Sequence, residues 1–132
     1  MTKCVLVVDD DEAIRLAFRL ALQGLPYRLL EADNGETGAE MAIAEEIDLV
    51  YLDLRMPRLD GVGALRRIRA AKPDLLVYIL SAFERDYLDE LAALRGEGLE
   101  FEFARKPLDR SQLIWLTRAL LGPPLAGGAA HA

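Results

Sequence analysis

Cys4-Val5-Leu6-Val7-Val8-Asp9-Asp10-Asp11 opens the chain with an unbroken apolar run that ends in three carboxylates. A run this rich in β-branched side chains suits a strand buried on both faces, and burial on both faces belongs to parallel sheets. It predicts a first strand over 4–8. From Glu12 to Gln23 the apolar residues Ile14, Phe18 and Ala21 recur at helical spacing, with Gly24 as the stop and Pro26 beyond it. Arg28 to Ala32 reads as a second strand, Asp33-Asn34-Gly35 as a turn and helix cap, and Glu36 to Glu45 as a second helix. Leu49-Val50-Tyr51-Leu52 is a third buried strand ending at Asp53, after which Met56-Pro57 and Asp60-Gly61 impose a loop. The helix that comes next turns Val62, Leu65 and Ile68 inward and stops near Lys72-Pro73.

Further along, Leu75 to Leu80 gives a fourth strand terminated by Ser81, and Leu88, Leu91 and Leu94 mark a fourth helix ending around Gly96 or Gly98. Phe101 and Phe103 alternate with Glu100 and Glu102, a period of two that suits a short fifth strand at a sheet edge. Asp109, followed three residues later by Gln112, has the pattern of a capping box and opens a last helix presenting Leu113, Leu116 and Leu120. Residues 122–132 hold two prolines, no charge and no apolar periodicity, and are expected to be a disordered tail. Strand-helix alternation with right-handed crossovers makes this an α/β chain: a doubly wound five-stranded parallel sheet with helices on both faces. At 132 residues it is expected to form one folded domain, over residues 3–121.

Composition narrows the function. Twenty-two acidic against sixteen basic residues leave a net charge of -6, which disfavours a binder of nucleic-acid backbones and favours cations. The single cysteine, Cys4, forbids an intramolecular disulfide and a zinc site of paired thiolates, as suits a reducing compartment. The only histidine, His131, lies in the tail, so serine-histidine, cysteine-histidine and two-histidine metal chemistries lack their base or ligand. The longest early apolar run is shorter than the roughly seven to fifteen residues of a signal-peptide core or the roughly twenty of a membrane span. A cytoplasmic protein without membrane or nucleic-acid partners is the expectation.

In doubly wound sheets ligands bind beyond the carboxyl ends of the strands, at the crevice where strand order reverses. Those ends carry Asp9 and Asp10, Asp53, Ser81 and, after the fifth strand, Lys106. With the order 2-1-3-4-5 the first and third strands are neighbours, which gathers Asp9, Asp10 and Asp53. Clustered carboxylates stay ionised together only around a shared cation, and an all-oxygen cluster selects a hard ion such as Mg²⁺. Lys106 brings a point charge and Ser81 a donor, so the groups match the needs of in-line phosphoryl transfer to a carboxylate.

Val7-Val8-Asp9-Asp10-Asp11, Leu52-Asp53-Leu54-Arg55-Met56-Pro57 with Asp60-Gly61, Ser81-Ala82 and Lys106-Pro107 together resemble the receiver domain of two-component response regulators, from about Lys3 to Leu121. The resemblance implies a flavodoxin-like fold and a chemotaxis-type single-domain regulator in a two-component or phosphorelay system. Asp53 would accept a phosphoryl group from the phosphohistidine of a sensor histidine kinase or histidine phosphotransfer protein, and an unknown downstream protein would read the result. Asp10 directly, Asp9 largely through water, Asp53 and the backbone carbonyl of Arg55 would hold Mg²⁺. Lys106, Ser81 and Ala82 would contact the phosphoryl group, Pro107 would follow a cis peptide, and Ser81 and Phe103 would form the switch. Arg55 and Phe83, each two residues beyond a site residue, would tune the phosphoryl lifetime. The chain departs from the family in a longer stretch between Ser81 and Lys106, in Glu97, Glu100 and Glu102 along that flank, and in Phe103, which lacks a tyrosine hydroxyl.

Other readings of these residues stay open. Asp9 to Asp11 also suit a helix N-terminus, Ser81 with Glu84 also suits a capping box, Phe103 suits a core ring, and a lysine before a proline suits a solvated surface. Two other functions compete: an aspartate-nucleophile phosphatase of the haloacid-dehalogenase kind, and a receiver-like binding module that signals without phosphorylation. The first needs a second aspartate where Arg55 stands, and room for a cap domain.

Overall fold

The computed structural model describes residues 2–82, 88–106 and 108–122. Strands and helices alternate in them: β1 (Lys3–Val8), α1 (Glu12–Leu22), β2 (Tyr27–Ala32), α2 (Gly35–Ala44), β3 (Leu49–Asp53), α3 (Gly61–Ala71), β4 (Leu76–Ser81), α4 (Leu88–Gly96), β5 (Glu102–Arg105) and α5 (Arg110–Leu121). The five strands are all parallel, in the order β2-β1-β3-β4-β5. This is the expected flavodoxin-like sheet. No described helix is long and apolar enough to cross a membrane.

Burial explains the order. Residues 4–8 and 49–53 are buried throughout, so β1 and β3 take the centre, where helices cover both faces. Each of their fully buried aliphatic side chains contributes about 1.5–3 kcal/mol. Leu6, Val8, Val50 and Leu52 face a core of aliphatic residues that α2, α3 and α4 complete. Val5, Val7, Leu49 and Tyr51 face a second core with Phe18 of α1 and Leu113 of α5. In that core the Tyr51 ring lies 4.8 Å from the Phe18 ring, and its hydroxyl is 2.7 Å from Thr117 Oγ1, buried on α5. Burial drives the Tyr51 phenol up to about 12.

Side-chain caps start the helices: Asp11 accepts from Ala13 N, Asn34 from Thr37 N and Asp60 from Gly63 N. Asp109 and Gln112 make the anticipated capping box in full.

Two expectations are corrected. The fifth strand runs over 102–105 rather than from Glu100, because arginine side chains take the Glu100 and Phe101 carbonyls that a ladder would otherwise use. Leu88 is 53% exposed, so only Leu91 and Leu94 anchor α4. On α5, Leu113 is buried, the half-buried Leu116 and Leu120 pack against the same core as expected, and Thr117 is buried beside them. Glu84 and residues 123–132 of the expected tail lie outside the described residues.

Candidate functional site

Adjacency of β1 and β3 places the cluster. Val8 pairs with Leu52, so Asp9 and Asp53, each one step further along its strand, emerge side by side. Asp9 is 3% and Asp53 8% exposed, whereas Asp10 faces solvent. Ligand-type oxygens of Asp9, Asp10 and Asp53 all lie within 4.8 Å of one another.

The aspartates that close β1 divide their work. Asp11 caps α1 through its 2.9 Å bond from Ala13 N, and Asp9 Oδ1 accepts from Asp11 N at 3.0 Å. Asp9 N donates to Ala32 O at 3.0 Å, and Arg15 of α1 donates to the Asp9 carbonyl at 2.8 Å. The main chain of Asp9 is thereby pinned, and the other carboxylate oxygen of Asp9 is left facing the cluster. Nothing in the motifs singles out Arg15; its place on the first turns of α1, six residues beyond Asp9, is the available signal.

Lys106 arrives from the far side of the sheet. Its backbone N donates to Ser81 O at 3.0 Å, continuing the β4–β5 ladder by one bond. Its Nζ donates to Asp9 Oδ2 at 2.6 Å and to Asp53 Oδ1 at 3.1 Å. Burial, and then the charge of Asp9, push the Asp53 carboxyl up to about 6 despite the pull of Lys106. Burial works against the Lys106 charge, yet the hydrogen bond to Asp9 and the charges of Asp53 and Asp9 outweigh it and raise its affinity for the proton. A buried acid held this way ionises more readily once a cation replaces or joins the lysine.

Ser81 closes β4 and is 1% exposed, while Ala82 beside it is exposed. Arg55 is exposed two residues past Asp53. Phe103, opposite Ile79 on the edge strand, is half-buried and packs on the aliphatic core. The β3–α3 loop comes back onto β3: Gly61 N donates to Leu54 O at 2.8 Å, and a Cβ at Gly61 would collide with the Asp53 carbonyl. Only a glycine lets α3 begin that close to Asp53. The sites assigned to Phe83 and Pro107 lie outside the described residues.

Asp9, Asp10, Asp53, Ser81 and Lys106 thus share one edge of the sheet, as their places in the sequence predicted. The donor set fits a hard divalent ion: three carboxylates, no sulfur or imidazole, and an exposed member through which a hydrated ion can enter.

Residues 5–118 match the family model described as the response regulator receiver domain. The response regulator MprA of Mycobacterium ulcerans is 36% identical over 121 residues, 92% of this chain and 51% of that protein. Its counterpart from Mycobacterium tuberculosis is 35% identical over the same length. The chain spans about half the length of these relatives. Among solved structures, the CheY-like receiver domain protein of Methanospirillum hungatei superposes with a TM-score of 0.79 at 20% identity, covering 90% of this chain and 93% of that one. The receiver domain of a sensor histidine kinase from Pseudomonas aeruginosa, which carries a magnesium ion coordinated in its active-site cleft, gives 0.74 at 24% identity over 92% of this chain and 99% of that one.

The chain belongs to the response regulator receiver domain family.

Proposed function

We propose that residues 3–121 form a Mg²⁺-dependent phosphoacceptor domain in which Asp53 takes a phosphoryl group from a phosphohistidine and so switches a protein-binding surface. An Asp53 carboxylate oxygen attacks phosphorus, the P–N bond to the donor imidazole breaks, and the imidazole leaves with the bonding pair and takes up a proton. Asp9, Asp10, Asp53 and the Arg55 carbonyl would hold the ion, which would supply charge neutralisation for the phosphoryl oxygens. Lys106 releases part of its hold on Asp53 to contact those oxygens, and Ser81 and Ala82 contact them from the end of β4. Phosphorylation turns the Asp53 carboxylate into a longer, more highly charged group, to which Ser81 moves while Phe103 packs further into the space released. Arg55 and Phe83, each two residues beyond a site residue in the sequence, tune the lifetime of the product. The ammonium of Lys106, within hydrogen-bonding reach of both Asp9 and Asp53, is the observation that carries this reading.

Acetyl phosphate and Mg²⁺ followed by intact-mass measurement tests it. One phosphoryl adduct is expected, lost in Asp53→Asn and on chelation of the metal. An adduct that survives Asp53→Asn overturns the reading by placing the acceptor elsewhere, and no adduct with any donor overturns it in favour of a module that signals unphosphorylated.

A further inference from the structure

Arg69 is a charged residue on the buried face of α3. It is 7% exposed, and its guanidinium donates through Nε to Glu100 O at 2.7 Å and through Nη1 to Lys72 O at 3.2 Å. Burying a guanidinium costs several kcal/mol unless hydrogen bonds compensate, so it persists only where its partners are held in place. Here one partner is the C-cap residue of α3 and the other is the main chain just ahead of β5. Arg95 of α4 holds the next carbonyl: its Nη2 donates to Phe101 O at 3.2 Å, and its guanidinium carbon lies 4.2 Å above the buried Phe101 ring. Gly98, at φ +85°, turns the chain out of α4 into this segment.

The two carbonyls lead directly into the weakest strand of the sheet. Four pairs, from Tyr78–Glu102 to Ser81–Arg105, join β5 to β4, and among the described residues its other side has no strand partner. Lys106 is the next residue. A slip of one register step moves it by about 3.3 Å and turns it to the opposite face. Such a slip is larger than either distance through which Lys106 Nζ reaches Asp9 and Asp53, 2.6 and 3.1 Å.

We propose that Arg69, with Arg95 beside it, is a positioning residue of the phosphoacceptor site, pinning the Glu100 and Phe101 carbonyls so that β5 delivers Lys106 to Asp53 in one register. The inference rests on the phosphoacceptor reading. It separates two functions of the site, because the metal ligands stand on β1 and β3 and owe nothing to the pin, whereas Lys106 stands beyond β5 and depends on it.

The experiment compares the full chain with Arg69→Met and Arg95→Ala, each also in a Lys106→Ala background, by acetyl-phosphate labelling rate and by calorimetric Mg²⁺ affinity. Arg69→Met is expected to slow labelling about tenfold and Arg95→Ala about threefold, as misplaced reacting groups do. Mg²⁺ affinity does not fall, and neither substitution slows labelling further once Lys106 is gone, since the pin acts through it. Unchanged labelling, a parallel fall in labelling and Mg²⁺ affinity, or full additivity with Lys106→Ala overturns the inference. If Arg69→Met fails to fold by circular dichroism, the exposed Arg95→Ala carries the same test. A wild-type chain that takes up no phosphoryl group sinks the phosphoacceptor reading itself, and is told apart from a labelled wild type whose variants match it.

Discussion

The β1–β3 half of the site and the β4–β5 half reach the same cluster by different means. Asp9 follows, and Asp53 ends, strands whose residues 4–8 and 49–53 are buried, so hydrophobic burial dictates where the carboxylates emerge. Lys106 follows a four-residue edge strand with partly exposed faces, and main-chain bonds to Arg69, Arg95 and Ser81 do what burial does elsewhere. The acid side is therefore a rigid floor, and the lysine side a part whose position can be tuned or moved. A switching domain needs both: a fixed place for the chemistry and an adjustable element that answers to it.

Substitutions on the two halves should separate these properties. Asp53→Asn strikes the floor and is expected to abolish the phosphoryl adduct entirely, read by intact mass. Lys106→Ala strikes the movable half: labelling falls about a hundredfold, as for loss of one positioned charge. Mg²⁺ binding, followed by calorimetry, strengthens in the same variant because Lys106 no longer occupies the oxygens of Asp9 and Asp53.

The floor also leaves a mark on stability. Asp53 ionises at about 6 when folded against an ordinary value of 3.8, so the folded form holds a proton that the unfolded chain has already released between those values. The contribution of Asp53 to stability is full below about pH 4, falls as the pH rises through about 6, and levels off beyond. The loss is on the order of 2–3 kcal/mol. Urea titrations across this range show it in the wild type in the absence of divalent cations, and a flatter profile is expected in Asp53→Asn.

Away from the cluster, Tyr51→Phe leaves the buried Thr117 hydroxyl without its tyrosine and should cost about 1–3 kcal/mol in urea unfolding, most of it recovered by adding Thr117→Val. Mg²⁺ affinity is expected to stay unchanged, since that pair ties β3 to α5 below the site. The smallest effect belongs to Arg58, which sits at φ +73° in the β3–α3 loop with an exposed 3.4 Å pair to Glu36. Arg58→Gly relieves that backbone and is expected to raise stability by about 1 kcal/mol, seen as a higher urea midpoint.

Most of the sheet was legible because apolar runs and helical spacing are local signals. The runs ending in Asp9, Asp53 and Ser81 marked three strand ends, and the topology rules for α/β chains assembled them. The edge was less legible. Alternation at Glu100 to Phe103 looked like a strand from its start, but Phe101 is buried ahead of the strand and its carbonyl is spent on Arg95. Arg69 was overlooked although it stands seven residues after Val62, on the stripe of Leu65; a charge at a core position is a signal, but one that does not say which main chain it will hold. Thr117 was missed for a similar reason, since its hydroxyl pairs with Tyr51, sixty-six residues away.

Order along the chain settled which residues stand at the ends of buried strands, because hydrophobic burial with a period of two or 3.6 is written in neighbouring residues. Folding in three dimensions settled how far apart those residues lie, how high the Asp53 carboxyl is pushed, and which carbonyls the arginines grip. These depend on partners distant in the chain, and on the exclusion of water that only packed layers achieve.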